Sequence, residues 1–437
     1  MGNTRTIATI VAVATGPARG GIGVVRISGP RALLVGRALA PGLQTEPRRA
    51  YFSPLLDARG AGVDEGLALY FQAPHSYTGE DVVELHAHGS PRVLSLLVEA
   101  ALAREGTRHA EAGEFTRRAY LNGRIDLTRA EAVAELVASE SLAQVQSAAA
   151  QLKGGLAEAV RAVKEPLLAL AADLEASLDF PDEAEGADAD VAPRLDAARA
   201  QVRELINRCT RGALIRRGAQ VVLYGPPNAG KSTLFNRLVG EARALVDDAP
   251  GTTRDALHAR VEWGGLALSL VDTAGLGEAK ERVEAMGMER TRQAVESADL
   301  AIFLAPDEAS VDSYRPQPSD GSYRVLSKAD LNKHSKSNIL RVSGLTGEGV
   351  DQLRAEVVAR LSGGTSDAVA VGGARHRDAL ERAGQALERA ASALSSSTLE
   401  VVAGEVGLSL AALDEVTGED ASQEVIDAVF RKFCIGK

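Results

Sequence analysis

Stretches of different apolar period succeed one another along this 437-residue chain. Over residues 1–120, short β-prone runs such as Gly23 to Ile27 and Gly66 to Phe71 are broken by Gly and Pro. That pattern predicts mixed α+β structure. Ser90-Pro91 reads as an N-cap followed by Pro at the first helical position. From Leu127 to Leu178 apolar residues recur at three- and four-residue spacing, with few breakers apart from Gly154-Gly155 and Pro166. The spacing predicts a long helical arm. Asp179-Phe180-Pro181-Asp182-Glu183 ends it, and an acidic, Ala-rich loop leads to a further helix over Leu195 to Arg211.

Strict alternation follows. Leu257, Ala259, Val261 and Trp263 alternate with polar residues, Gly264-Gly265 makes a hairpin turn, and Leu266, Leu268 and Leu270 alternate in return. Further strands are expected at Leu300 to Leu304, Tyr323 to Leu326 and Ile339 to Val342, with helical stretches between them. A mostly parallel sheet with one antiparallel edge is the natural outcome. Asp307 to Ser322 is polar and contains Pro, as a surface loop would, and Ser362-Gly363-Gly364-Thr365 reads as a linker. From Arg375 the Ala/Leu helical pattern returns and runs to Lys437. An α/β domain thus interrupts a helical one, giving segments at 1–120, 121–213, 214–364 and 365–437, with no internal repeat.

Composition narrows the class. An apolar fraction of 45% and a charged fraction of 25% are those of ordinary globular proteins. The net charge of −10 argues against holding nucleic acid by bulk electrostatics, so RNA would need a local patch or a more basic partner. Cys209 and Cys434 form no disulfide framework or zinc spacing, which fits a reduced, cytoplasmic setting. The N-terminus has too short an apolar run for a signal peptide, and no segment approaches membrane length.

The chemistry is concentrated at Gly225 to Ser232, G-P-P-N-A-G-K-S, directly after the apolar run Val221 to Tyr224. This is a P-loop. Its glycines let backbone N–H groups face phosphate oxygens, Lys231 supplies a point charge, and Ser232 offers a hydroxyl to magnesium. Gly251-Thr252-Thr253-Arg254-Asp255 and then Asp272-Thr273-Ala274-Gly275 follow in the order a GTPase needs. Thr253 would complete the magnesium shell, Asp272 would stand behind a metal-bound water, and the Gly275 backbone would sense the γ-phosphate. Ser327-Lys328-Ala329-Asp330 ends a later strand. Asp330 suits the N1–H and amine of guanine, Lys328 would cover the base, and Ser343-Gly344-Leu345 offers a backbone N–H to the guanine carbonyl. GTPases usually carry Asn where this chain has Ser327, and a serine reaches less far toward the P-loop. Leu276 stands where many have a water-orienting glutamine. Asn228 is a candidate ligand for a monovalent cation; spacing alone leaves Glu284 an ordinary solvated helix residue.

Further motifs carry a resemblance that covers the whole chain. They are Arg19 to Gly29 (R-G-G-I-G-V-V-R-I-S-G), Tyr77-Thr78-Gly79-Glu80-Asp81 with Glu84 and His88-Gly89, and Gly113 to Ala119 (G-E-F-T-R-R-A). Leu121 to Leu127 (L-N-G-R-I-D-L), Asp179-Phe180-Pro181 and the terminal Phe433-Cys434-Ile435-Gly436-Lys437 complete the set. On these residues the chain resembles the tRNA-modification GTPase family MnmE, also called TrmE. The resemblance implies an N-terminal α+β domain that binds folate and forms a homodimer, a helical domain, and an inserted Ras-like P-loop α/β GTPase domain. It implies a 5,6,7,8-tetrahydrofolate derivative, in formyl or methylene form, at Arg26, Glu84, Arg124 and Lys437, although the family commonly has lysine at the position of Arg124. It implies K+ at Asn228, Asp247, Ala249 and Thr252, Mg2+ at Ser232 and Thr253, and a water-orienting role for Glu284 beside Lys231 and Asn228. GTP contacts would then fall on Asn228, Ala229, Gly230, Lys231, Ser232, Thr233, Asp247, Asp248, Ala249, Pro250, Gly251, Thr252 and Thr253. The rest of the set is Asp272, Thr273, Ala274, Gly275, Lys328, Asp330, Ser343, Gly344 and Leu345. An FAD-containing MnmG (GidA) type partner would join it on the wobble uridine of certain tRNAs and carry most of the tRNA binding.

Read without the family, Arg26 suits a ligand carboxylate and equally a strand surface, and Glu84 suits an aminopyrimidine or plain solvent. His86 and His88 face one side of a strand, but no cysteine or acidic set accompanies them as zinc would require. Cys434 lies four residues from the end, yet the terminal Lys437 does not fit a prenylation signal. It is either a thiol near the folate site or a structural cysteine. Two rival readings belong to other classes: a regulatory GTPase switch of the ribosome-assembly type with a non-catalytic N-terminal half, and an N-terminal domain that is only a folate-binding sensor.

Overall fold

The computed structural model describes residues 8–179, 190–240, 243–244, 258–273, 284–313, 321–331, 338–362 and 372–437. It divides into two compact units, one of the residues up to Ala134 together with Leu410–Lys437, the other Glu135–Ser409.

The first unit opens with β1 (Thr9–Val13), β2 (Gly20–Ser28), α1 (Ala32–Leu39), β3 (Ala50–Leu56), β4 (Gly62–Phe71) and β5 (Val82–Gly89). Then come α2 (Pro91–Leu102), β6 (Thr107–His109), α3 (Glu114–Leu121) and α4 (Leu127–Ala138). The six strands form one sheet in the order β3-β4-β5-β2-β1-β6, antiparallel except where β1 meets β6. The alternation of β2 and β5 puts Val25, Ile27, Val83 and Leu85 under α1 and α2, in a core with Val35, Leu39, Leu94 and Leu97. The opposite face of the central strands presents Arg26 and Glu84, which are direct register partners. Pro91 is the first residue of α2, as its fixed φ favours, although the Ser90 side chain makes no cap bond.

The single arm expected from Leu127 to Leu178 is three helices: α4, α5 (Leu142–Leu152) and α6 (Gly155–Asp179). Ser141 and Gln144 form a reciprocal capping box that starts α5. Gly154, at φ 99°, ends it in a conformation that only Gly adopts cheaply. Pro166 sits inside α6 without ending it. The buried stripe Leu156, Val160, Val163, Leu167, Leu170 and Leu174 runs across the proline, and its packing offsets the lost backbone bond. α7 (Val191–Arg217) is longer than expected at both ends.

The α/β part comprises β7 (Ala219–Tyr224), α8 (Lys231–Gly240), β8 (Arg243–Ala244), β9 (His258–Trp263), β10 (Leu266–Asp272) and α9 (Glu284–Ser297). It continues with β11 (Leu300–Ala305), α10 (Glu308–Ser313), β12 (Tyr323–Leu326), β13 (Leu340–Arg341) and α11 (Val350–Ser362). The sheet order is β13-β12-β11-β7-β10-β9-β8. Its first five strands pair parallel, and the antiparallel edge holds two strands, β9 and β8, rather than one. Gly264 and Gly265 both take positive φ in the β9–β10 turn, the geometry a two-residue hairpin needs. The expected loop after Asp307 contains α10, where the Asp307 carboxylate accepts from the Ser310 N–H and caps the helix start. Ser362 closes α11 rather than opening a linker.

α12 (Ala374–Leu394), α13 (Leu399–Thr417) and α14 (Gln423–Phe430) complete the chain. In the first unit Ile426, Val429, Phe430 and Phe433 pack with Leu127 and Ala130 of α4. No described helix is long and apolar enough to cross a membrane.

Candidate functional site

β7 is buried on both faces and delivers the chain into the P-loop. Gly225, at φ 146°, passes so close to the Leu304 carbonyl of β11 that a Cβ would overlap it. Asn228 takes φ 60°, a left-handed conformation asparagine tolerates, and its side chain is exposed. The amides of Gly230, Lys231, Ser232 and Thr233 donate to no described residue, as expected at a helix start, so they form a cradle suited to phosphate. Lys231 is 8% exposed and donates from Nζ to the carbonyls of Gly225 (3.0 Å) and Pro226 (2.9 Å). Burial pushes its pKa down, and the nearby Asp272 carboxylate pulls in the opposite direction. Asp272 ends β10, and Thr273 donates from its hydroxyl to the Leu223 carbonyl at 3.0 Å, joining β10 to β7. Ser232 and Thr233 are exposed at the mouth of the loop.

The residues expected to read the base converge at the C-terminal ends of the parallel strands, where ligands of such sheets bind. Lys328 takes φ 56° just after β12. The Ser343 hydroxyl donates to Asp330 Oδ1 at 2.6 Å and accepts from the Thr346 N–H at 3.1 Å, so carboxylate and loop form one unit. Ser327 turns the other way: its N–H (2.8 Å) and hydroxyl (3.2 Å) both donate to the Ala305 carbonyl. The side chain most firmly engaged with the loop was not singled out from sequence. Arg237 of α8 donates from Nε to the Gly344 carbonyl at 3.1 Å and from Nη2 to the Leu345 carbonyl. Only its position six residues after Lys231 hints at that.

Asp247, Asp248, Ala249, Pro250, Gly251, Thr252, Thr253, Ala274 and Gly275 lie outside the described residues, and so does Leu276. Of Glu284 only the backbone is described, as the first residue of α9.

In the first unit, Arg26 Nε donates to Glu84 Oε1 at 2.8 Å, and its guanidinium lies 5.5 Å from the Tyr77 ring centroid and 5.7 Å from that of Phe115. Its Nη atoms donate to no described residue. Glu84 Oε2 lies 3.3 Å from His86 Nε2, and the Tyr77 hydroxyl is 2.9 Å from that of Thr116. The Phe115 N–H donates to the Lys437 carbonyl, the Gly113 N–H to that of Cys434, and Ala112 bridges Ile435. These bonds draw the chain terminus onto α3. Gly436, at φ 99°, fits so tightly against the Val13 carbonyl that a Cβ would overlap it. A Cβ on Gly79 would meet the stem of Arg124 at 3.2 Å. The Arg26 guanidinium, the Glu84 carboxylate and the two aromatic rings fit an aromatic heterocycle with an anionic tail. Tyr77 and Phe115 were in the sequence motifs without a role, because only the folded register brings both rings to Arg26. Cys434 is an exposed free thiol, whereas Cys209 is buried and its thiol is pushed up to about 11 by that burial.

A second network explains other motif residues. Arg118 donates to Glu80 and to Glu114 (2.9 Å each) and to the Ala8 carbonyl (2.9 Å), and Arg108 grips both oxygens of Glu114. Ser28 donates to Glu80 at 2.8 Å. These charges pin α3 to the sheet and thereby fix Phe115.

Comparison with known proteins gives the arrangement its relatives. A family model described as the GTP-binding protein TrmE N-terminus matches residues 9–124, and one described as the MnmE helical domain matches 127–434. The tRNA modification GTPase MnmE of Myxococcus xanthus (strain DK1622) is 58% identical over 441 aligned residues, covering 99% of this chain and 100% of its own. That of Azoarcus sp. (strain BH72) is 42% identical, with 98% of each chain covered. Among solved structures, the G domain of the T. maritima FeoB iron transporter aligns with 32% of this chain and 98% of its own at 23% identity and a TM-score of 0.22, too slight a likeness to carry weight. With both family models spanning nearly the whole sequence, the chain belongs to the MnmE (TrmE) family of tRNA-modification GTPases.

Proposed function

We propose that this protein hydrolyses GTP at residues 225–232 to drive modification of carbon 5 of the wobble uridine of certain tRNAs. The group installed is of the carboxymethylaminomethyl or aminomethyl type, and its methylene comes from a tetrahydrofolate one-carbon unit. An FAD-containing flavoprotein of the MnmG (GidA) type supplies the reducing chemistry. One observation carries the reading: a single chain matches both the TrmE N-terminal model and the MnmE helical model.

In this reading the amide cradle and Lys231 hold the phosphates, Asp330 and the 343–345 loop read guanine, and Glu284 orients the attacking water. A magnesium ion at Ser232 and Thr253 and a potassium ion at Asn228, Asp247, Ala249 and Thr252 would supply positive charge where negative charge builds in the transition state. In the N-terminal unit Arg26, Arg124 and Lys437 offer cations to the folate tail and Glu84 accepts from its aminopyrimidine. Phe52 and Leu67, cross-strand partners that are 67% and 41% exposed, give the β3–β4 edge an apolar face suited to a second copy. The net charge of −10 supports leaving most tRNA contacts to the partner.

The test is a pair of titrations on the purified protein. GTP turnover should be faster in potassium than in sodium, and Asn228→Ala should abolish the difference. Arg26→Ala and Glu84→Ala should each weaken tetrahydrofolate binding about tenfold or more. Equal turnover in both salts removes the cation reading, and unchanged folate binding in both variants removes the folate site.

A further inference from the structure

A loop that reads a base through a backbone N–H is only as selective as its amide is fixed. Ser327 does not fix it here, because both its N–H and its hydroxyl are committed to the Ala305 carbonyl on β11. Arg237 reaches the loop instead, from the helix that begins at the P-loop. Its Nε holds the Gly344 carbonyl at 3.1 Å and its Nη2 holds the next one, that of Leu345. The planar guanidinium presents two donors in a fixed fork, which a lysine cannot do. Gly344 itself lies against the first turn of α8, where a Cβ would come within 2.7 Å of the Leu234 amide nitrogen. In a trans peptide the carbonyl and the following N–H point in opposite directions. Holding the Gly344 carbonyl on Arg237 therefore turns the Leu345 N–H to the far side of the loop, and that amide donates to no described residue. The Leu345 carbonyl is held likewise, and the N–H that follows it, of Thr346, is taken by Ser343, which also engages Asp330.

We propose that Arg237 is the positioning residue that aims the Leu345 amide at the oxygen on carbon 6 of the base, doing from the P-loop helix what Ser327 does not do from β12. The proposal rests on the reading of this site as a guanine-nucleotide site. Arg237 touches no nucleotide atom in this account; it acts through the loop.

The test compares two ligands on the full chain: GDP, and 2-aminopurine riboside 5′-diphosphate, which keeps the amine but lacks both the N1–H and the oxygen on carbon 6, so nothing on it can accept from the Leu345 amide at that position. Arg237→Ala should weaken GDP binding about tenfold while leaving the analogue within about twofold. Arg237→Lys, which keeps the charge and is the gentler change, should lose less GDP affinity with the same selectivity. Adding Ser327→Asn, which offers a second tether, should shrink the loss caused by Arg237→Ala. Equal losses for both ligands would mark a merely structural arginine and overturn the proposal, as would no loss for either. Failure of the unaltered protein to bind GDP would instead remove the nucleotide reading beneath it.

Discussion

Glu114 sits between two arginines and a backbone amide, at 7% exposure, where an unpaired carboxylate would be costly. Burial pushes its pKa up, but hydrogen bonds from Arg108, the Glu111 N–H and Arg118 outweigh that and hold it below the ordinary glutamate value. A carboxylate with a lowered folded pKa adds stability above its unfolded pKa, and that stability is lost as pH falls through the folded value. Glu114→Gln should therefore melt well below the unaltered protein at neutral pH. The gap should close as pH drops below about 4, the ordinary glutamate range. Glu114→Ala, which leaves Arg118 with Glu80 and the Ala8 carbonyl, should cost the N-terminal unit about 2 kcal/mol. Melting curves followed across pH decide this, and a gap that does not change with pH would contradict it. The sequence displayed Glu80, Glu114 and Arg118 as motif letters. It could not display their purpose, because Arg118 and Glu80 are 38 residues apart and meet only when α3 lies on the sheet.

At the scale of elements, what repeats locally was legible and what closes over distance was not. The P-loop, the Gly264-Gly265 turn and β12 carry their own signals: glycine positions, alternation and flanking breakers. The break before α5 was also written locally, as Ser141 with Gln144 three residues on, but the uniform Ala/Leu period around it hid it. The approach of the 343–345 loop to α8 has no such signature, since it joins residues about a hundred positions apart. Gly344 nonetheless makes that approach testable. A methyl there would meet backbone atoms of Leu234 at 2.7 and 2.9 Å, which cannot swing aside as a side chain can. Gly344→Ala should push the loop outward and weaken guanine-nucleotide binding about tenfold or more, with secondary structure retained. Nucleotide affinity and circular dichroism measured together check this. Unchanged affinity would mean the loop does not need its place against α8.

On the scale of the molecule, the candidate folate and nucleotide residues belong to different compact units, so each can be disabled alone. The terminus offers the cleanest cut. Cys434, Ile435 and Lys437 are held by backbone bonds to Ala112, Gly113 and Phe115, and Phe115 lies beneath Arg26. Deleting residues 434–437 should abolish tetrahydrofolate binding while leaving GTP affinity within about twofold, because the P-loop lies in the other unit. Paired ligand titrations on the truncated protein test it, and full folate binding there would detach the terminus from the site. Family membership was legible from motifs at both ends of the chain. A folate role for the four-residue tail is expected only from resemblance, and the structure supplies the tail's backbone contacts.

GTP hydrolysis by this chain serves tRNA modification. The most direct test is mass spectrometry of wobble uridines in tRNA from cells lacking this protein, complemented with either the unaltered chain or Lys231→Ala. The account predicts carbon-5 modification restored by the unaltered chain and missing with Lys231→Ala. Fully modified wobble uridines in the cells lacking the protein would contradict it.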